Sequence, residues 1–150
     1  MRLFLARGHP VVAVDRDTAG LADIAGTPGL EILAVDLETG QPWPLGERRF
    51  AGVVVTNYLH RPTLPAIVAA VAPGGALLYE TFAAGNESVG KPSRPDFLLQ
   101  PGELLRACAG LRVVAYEDGF LASPDRFVQR IAAVREPGNG SADKPTRYPL

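Results

Sequence analysis

Polar side chains at the ends of apolar runs are the residues of this sequence best placed to do chemistry. They are Asp15, Asp36, Asn57 and the pair Glu80-Thr81. If the runs are parallel strands, these residues meet at the sheet edge where ligands of such sheets bind. A carboxylate there can accept hydrogen bonds from two neighbouring hydroxyls at once. We therefore expect these side chains to converge on one site.

His60 and Arg61 lie just beyond Asn57 and are the pair best suited to chemistry. A histidine titrates near neutral pH and can take a proton from a hydroxyl, an amine or a thiol. The alternative is that His60 caps or packs against the start of the next helix. No Cys or His spacing in the sequence resembles a metal site.

The elements that must position these residues follow from the apolar periodicity. The run at 50–56 shows no polar alternation, which is typical of a strand covered on both faces. Strands 111–117 and 127–135 have no helix between them and predict an antiparallel hairpin. The remaining strands alternate with helices, which builds a mostly parallel sheet with helices on both faces. The strands are predicted at 11–15, 30–35, 50–56, 76–82, 111–117 and 127–135, and the helices at 3–7, 18–25, 62–72 and 102–109.

Two polar segments interrupt or follow this pattern. Residues 83–95 have the length and composition of a mobile active-site loop. Residues 136–150 are rich in Gly, Pro, Ser and charge, which predicts a disordered tail. The folded domain is therefore expected to span 1–135.

Composition excludes several classes of partner. The formal net charge is −1 and no basic run exceeds Arg48-Arg49, so no nucleic-acid partner is expected. Apolar stretches fall far short of the roughly 20 residues that span a bilayer, so no membrane is expected. The single cysteine, Cys108, cannot form an internal disulfide and fits a reducing, cytoplasmic compartment. Its apolar helical context predicts a small buried side chain.

In combination, these features resemble a class I S-adenosylmethionine-dependent methyltransferase from a small bacterial group described as tellurite-resistance-like. The resemblance covers about residues 1–135, and the terminal hairpin matches the reversed last strand of that family. It implies an α/β, Rossmann-like three-layer sandwich, S-adenosylmethionine as cofactor and a small-molecule acceptor. The stretches that carry it are LARGHPVVAVDRD (5–17), AVDLE (34–38), FAGVVVTNYLHRP (50–62) and APGGALLYETF (72–82).

The resemblance assigns the adenosine end of the cofactor to residues of the first two strands. Asp15 would bind the ribose hydroxyls, with Arg16 beside it in the cofactor site. Asp36 would meet the adenine amino group, and Leu37 would contact the ring. Alternatively, Glu38 is the acidic contact to adenine, and Asp15 merely ends a strand and caps a turn.

The same resemblance places Asn57 and Tyr58 around the methionine portion and the methyl group. Tyr58 could equally pack on the next helix. Methyl transfer needs no elaborate catalytic group, because the sulfonium is already activated and alignment alone can lower the barrier by roughly 7–11 kcal/mol. His60 is the candidate catalytic residue.

In that family a first strand and a glycine-rich loop precede the helix that corresponds to residues 3–7. This sequence contains no counterpart of either. We expect an N-terminally truncated form of the fold, with Met1 an internal methionine taken for the start. The alternative is a genuine short chain in which neighbouring strands close up or another copy fills the gap. An open gap in the sheet would favour a homo-oligomer.

Two other functions are compatible with this pattern. An incomplete cofactor cradle would suit a non-catalytic or vestigial cofactor-binding domain. An acidic residue after the second strand would also suit the ribose of NAD in an oxidoreductase. The closing hairpin and the lack of a Tyr-x-x-x-Lys pair weigh against the oxidoreductase.

Overall fold

The computed structural model describes residues 1–138 and 147–148. The chain forms two compact units, Met1–Gly46 and Glu47–Leu150. Most of the predicted tail at 136–150 lies outside the described residues. In the part of the chain that is described, no helix is long and apolar enough to cross a membrane.

The first unit is built on a pair of parallel strands. Helix α1 (Arg2–Ala6) leads through Gly8, whose φ is +80°, into β1 (Val11–Asp15). Strand β2 (Leu30–Ala34) pairs with β1 in parallel, from Val11 opposite Leu30 to Asp15 opposite Ala34. The bounds of β1 confirm the predicted strand, and the carboxyl ends of both strands lie at the same edge.

The helix predicted at 18–25 is a 3₁₀ helix over Ala19–Ile24. Its start is fixed by Asp17, whose Oδ1 accepts a hydrogen bond from the Ala19 N–H at 3.0 Å. Gly20 inside this segment lowers its α-helix propensity, and 3₁₀ geometry is common in short pieces of this kind. Only Ile24 of this segment is buried.

The second unit contains a four-stranded sheet in the order β3-β4-β6-β5. Strands β3 and β4 are parallel, whereas β6 is antiparallel to both of its neighbours. The predicted terminal hairpin is therefore confirmed, with β6 lying between β4 and β5. The strands are β3 (Phe50–Thr56), β4 (Val71–Phe82), β5 (Arg112–Leu121) and β6 (Arg126–Val134).

The helix predicted at 62–72 is too long. A 3₁₀ turn at Arg61–Thr63 continues into α2 (Leu64–Ala69), and β4 already begins at Val71. Val71 is fully buried and pairs with Phe50 of β3, so tertiary pairing decides its conformation over local propensity.

One face of this sheet is the core of the unit. Helices α2 and α3 (Glu103–Ala107) contact each other, and α3 is tied to the sheet by the Leu104 N–H, which donates to Gln129 Oε1 at 3.2 Å. On the other face Val54 and Leu78 remain 51% and 46% exposed. The core face presents buried side chains from β4 and β6: Leu77, Tyr79, Thr81, Gln129, Ile131 and Ala133.

The polar segment 83–95 leaves the end of β4 and is anchored by Asn86. This side chain is 1% exposed; its Nδ2 donates to the Pro92 carbonyl at 3.0 Å, and its Oδ1 accepts from the Phe127 N–H at 3.2 Å. The segment is therefore fixed at its N-terminal part to the start of β6. Mobility of the rest of it stays a prediction.

Candidate cofactor and acceptor site

In the first unit, Asp15 and Asp36 lie at the carboxyl ends of the parallel pair. Asp15 is exposed, and its Oδ1 accepts the Asp17 N–H at 3.0 Å. Asp36 is half-buried, and its Oδ1 accepts the Glu38 N–H at 2.8 Å. The Val35 N–H donates to the Asp15 carbonyl at 3.0 Å, which extends the pairing to the residue before Asp36. Each carboxylate thus uses one oxygen for its own turn, and the other oxygen makes no hydrogen bond among the described residues.

Arg16 and Leu37 directly follow these two aspartates. Arg16 is exposed and Leu37 is half-buried. The fold therefore brings Asp15, Arg16, Asp36 and Leu37 to one end of the two-stranded sheet. Their contacts with a cofactor stay predictions.

In the second unit, Asn57 ends β3 in the left-handed region, with φ at +53°. Its N–H donates to the Glu80 carbonyl at 3.0 Å, so it is held at the end of the parallel β3–β4 pair. Asparagine tolerates this conformation better than most residues because its short polar side chain can bond locally. The Asn57 side chain is exposed at the carboxyl edge, where a ligand would lie.

Tyr58 is half-buried in a turn held by hydroxyl groups. Its hydroxyl lies 3.3 Å from Thr63 Oγ1, and its carbonyl accepts the Tyr79 hydroxyl at 2.8 Å. Burial raises the pKa of Tyr79, which keeps that hydroxyl protonated as a donor. The Tyr58 hydroxyl thus lies beside Thr63, which directly precedes α2, and a contact of Tyr58 with the cofactor stays a prediction.

His60 occupies the N-cap position of the 3₁₀ turn at Arg61–Thr63, although its side chain makes no capping hydrogen bond. Its carbonyl accepts the Thr63 hydroxyl at 2.8 Å. Its Nδ1 is enclosed and has no hydrogen-bond partner within the described chain. This ring nitrogen is therefore uncommitted, unlike the neighbouring arginine.

The guanidinium of Arg61 is occupied by hydrogen bonds to other parts of the fold. Its guanidinium donates to both carboxylate oxygens of Glu103, at 2.8 and 3.0 Å, and to the carbonyls of Asp96 and Leu98, at 2.9 and 3.0 Å. The expectation that Arg61 acts with His60 in chemistry is therefore not supported, because its donors are occupied by α3 and the segment before it.

Sequence reasoning missed Arg126, whose side chain approaches Glu80. Arg126 NH1 lies 3.8 Å from Glu80 Oε1. These residues are 46 positions apart, and only the antiparallel β4–β6 pairing brings them together. The predicted hairpin pairs β6 with β5 and does not place it beside β4, so no local signal indicated this contact.

An open groove of about 600 Å³ lies elsewhere, between α2 and α3. Leu64, Val68 and Ala107 line it, together with Arg61, and none of the predicted cofactor residues does. Within residues 1–138 and 147–148, no group of three or more His, Cys, Asp or Glu side chains could hold a metal ion. The predicted cofactor residues therefore lie at the strand ends of their own sheets and outside this groove.

No family model and no curated protein matches the chain. Several solved structures, in contrast, match the chain. TehB from Haemophilus influenzae matches with a TM-score of 0.66 and 17% identity, over 89% of this chain and 53% of that chain. The chain has the class I methyltransferase fold. Its predicted α/β, Rossmann-like class is thereby confirmed.

Two further structures with this methyltransferase fold carry a cofactor or its product. The 16S rRNA (adenine(1408)-N(1))-methyltransferase W203A mutant from Catenulisporales acidiphilia, with cosubstrate S-adenosylmethionine, matches with a TM-score of 0.61 and 19% identity over 92% of this chain and 80% of that one. The Burkholderia thailandensis 1,6-didemethyltoxoflavin-N1-methyltransferase, with S-adenosylhomocysteine bound, matches at 0.61 and 20% over 90% and 65%. The chain spans about half of the TehB chain, and identities this low establish the fold alone.

Proposed function

We propose that this chain is an S-adenosylmethionine-dependent methyltransferase domain that acts on a small-molecule acceptor. The observation that carries the proposal is the position of Asp15 and Asp36 at the carboxyl ends of adjacent parallel strands. Ligands of open α/β sheets bind outside these ends. The shared fold with cofactor-bound methyltransferases supports the same assignment.

The residues present fit the adenosine end of the cofactor. Asp15 is exposed and has a carboxylate oxygen that makes no hydrogen bond within the described chain, which suits a ribose hydroxyl. Asp36 follows the neighbouring strand and likewise has a carboxylate oxygen that makes no hydrogen bond within the described chain. This oxygen suits the adenine amino group. The cofactor, when bound, supplies an activated methyl group.

The chain's own residues would align the acceptor and accept its proton. Asn57 is exposed at the end of β3, and the hydroxyl contacts around Tyr58 fix the turn that carries it. His60 has the uncommitted ring nitrogen of this turn and is proposed as the proton acceptor. Such alignment is the main requirement of the reaction.

Two neighbouring aspartates provide a matched binding test. Asp15 and Asp17 each accept, at 3.0 Å, an N–H from two residues further along. Asp15→Asn and Asp17→Asn preserve this acceptor while removing the charge. We expect Asp15→Asn to weaken S-adenosylhomocysteine binding about 10- to 100-fold in calorimetry, the loss of a charged hydrogen bond. Asp17→Asn should stay within about twofold. Equal affinities in both variants would overturn the ribose contact.

Turnover separates the enzyme from a domain that only binds. The purified chain is incubated with S-adenosylmethionine and a panel of small acceptors, and methylated products are followed by mass spectrometry. Methyl transfer that falls in His60→Gln, with S-adenosylhomocysteine binding unchanged, would support catalysis at this site. Binding without any product would favour the vestigial domain. Binding of NADH alone would favour the oxidoreductase.

A further inference from the structure

Arg126 is the first residue of β6, an inner strand of the four-stranded sheet. Its guanidinium is only partly engaged by other residues. Its side chain is 32% exposed, yet its Nε is enclosed and donates no hydrogen bond within the described residues. The single ion pair of its guanidinium, to Glu80, has a separation of 3.8 Å, which is beyond hydrogen-bond range. A buried donor without an acceptor destabilises the structure, and a charged one does so more strongly.

Glu80 does not hydrogen-bond Arg126, because its Oε2 accepts from Arg130 and its Oε1 lies too far from the Arg126 guanidinium. The Arg130 Nε donates to Glu80 Oε2 at 2.5 Å, and its NH1 donates to Glu117 Oε2 at 3.2 Å. These contacts raise the pKa of Arg130 and engage one oxygen of each carboxylate, and the other oxygen of Glu80 lies 3.8 Å from Arg126 NH1. Within the described residues, the guanidinium N–H groups of Arg126 therefore have no hydrogen-bond acceptor.

The strand pairing fixes the position of Arg126 relative to the end of β4. The β4–β6 pairing ends with Phe82 opposite Val128, so Arg126 lies two residues beyond the carboxyl end of β4. Glu80, its neighbour, accepts the Asn57 N–H through its carbonyl. Asn86 fixes the start of segment 83–95 to Phe127, immediately beside Arg126. The guanidinium thus lies at the same edge as the candidate acceptor residues.

We propose that Arg126 binds an oxyanion carried by the methyl acceptor, a carboxylate or a tetrahedral oxyanion. A guanidinium presents a planar fork of N–H donors that matches two oxygens of such a group, and charged hydrogen bonds of this kind are roughly twice as strong as neutral ones. Because the Nε is enclosed while the side chain is 32% exposed, the two terminal nitrogens supply that fork. This inference rests on the proposed function and adds the chemical class of the substrate.

The test follows the guanidinium N–H signals of the ¹⁵N-labelled chain by NMR. Sodium sulfate and sodium acetate are titrated separately, against sodium chloride at matched ionic strength. We expect a saturable shift of the Arg126 Nε–H signal with sulfate, acetate or both, and the tighter of the two identifies the geometry of the oxyanion. Arg130, whose Nε is bound to Glu80, and Arg94, paired with Asp96 at 2.8 Å, are the internal references and should not saturate.

The signal is assigned through Arg126→Lys, which keeps the charge and removes the Nε–H, or by through-bond correlation if that variant does not fold. Equal shifts with chloride, or no shift of Arg126, would overturn the proposal. S-adenosylhomocysteine calorimetry on the unaltered chain is run in parallel. Cofactor binding without an oxyanion shift refutes this subsite alone, whereas an oxyanion shift without cofactor binding refutes its assignment to a methyl acceptor.

Discussion

Arg61 and Glu103, which are 42 positions apart in the sequence, form a bidentate ion pair. The Arg61 Nε donates to Glu103 Oε1 at 2.8 Å and its NH2 to Oε2 at 3.0 Å. The side chains are 40% and 15% exposed, respectively. The pair joins the turn after β3 to the start of α3, so it stabilises the segment that carries Asn57, Tyr58 and His60.

Replacement of Arg61 should therefore destabilise the chain. We expect Arg61→Ala to lower the free energy of unfolding by about 1–3 kcal/mol in urea, since it removes charged hydrogen bonds and leaves Glu103 without its ion-pair partner. Arg94→Ala is the matched control, because Arg94 and Asp96 form an ion pair with side chains 70% and 71% exposed. Such exposed pairs contribute about 0–1 kcal/mol. A loss no larger in Arg61→Ala than in Arg94→Ala would contradict the structural role.

The same pair predicts a dependence of stability on pH. Burial alone would raise the pKa of Glu103, but the hydrogen bonds from Arg61 and from the Gln100 N–H outweigh it and lower the pKa below its ordinary 4.5. A lowered folded-state pKa stabilises the protein above the unfolded value, and this stabilisation is lost as the pH falls through the folded value. Urea unfolding at pH 7, 5 and 3 should show this loss below pH 4.5, with a shallower slope in Glu103→Gln. Identical slopes would contradict it.

Gly75 of β4 is predicted to tolerate no side chain. A Cβ at this position would lie 2.8 Å from the Phe50 carbonyl oxygen and 2.9 Å from that of Ala72. Because both atoms belong to the backbone, Gly75→Ala should lower the free energy of unfolding by at least about 1–3 kcal/mol. Gly119→Ala in β5 is the control, since a Cβ there meets nothing within 4 Å. Equal urea midpoints for the two variants would refute the close approach.

Cys108 should be unreactive in the folded chain. It is 1% exposed, and burial raises its pKa to about 11. Only the thiolate reacts with disulfide reagents, and at pH 8 it would make up about one part in a thousand of the thiol. Dithionitrobenzoate should therefore modify Cys108 only in urea, at a rate that follows unfolding. Rapid modification in buffer, comparable to that of glutathione, would contradict the burial.

Local pattern was sufficient where a short apolar run is dominated by β-branched residues. Strand bounds at Val11–Asp15 and Phe50–Thr56 match the prediction, since β-branched residues dominate both runs. The start of β4 could not be predicted in this way. Val71 suits a helix or a strand, and its partner Phe50 lies 21 positions earlier.

The strand pattern predicted where the candidate site residues lie, at the carboxyl ends of the strands, but not which side chains contact one another. Parallel pairing brings Asp15 beside β2 and Asn57 beside Glu80, as the strand ends indicated. The partner of Arg61 could not be read locally, because Glu103 becomes its neighbour only when α3 packs. Arg126 was missed for the same reason, since its approach to Glu80 depends on the order of strands in the sheet.

Asn57 allows the backbone and the side chain to be tested separately. Its φ of +53° suits glycine, whereas alanine at such a position costs roughly 1–2 kcal/mol. Asn57→Gly should therefore retain the urea midpoint that Asn57→Ala loses. If the exposed amide contacts the cofactor, Asn57→Gly should still bind S-adenosylhomocysteine about tenfold more weakly in calorimetry, the effect of one hydrogen bond. Native affinity in a fully stable Asn57→Gly would show that Asn57 serves only the turn.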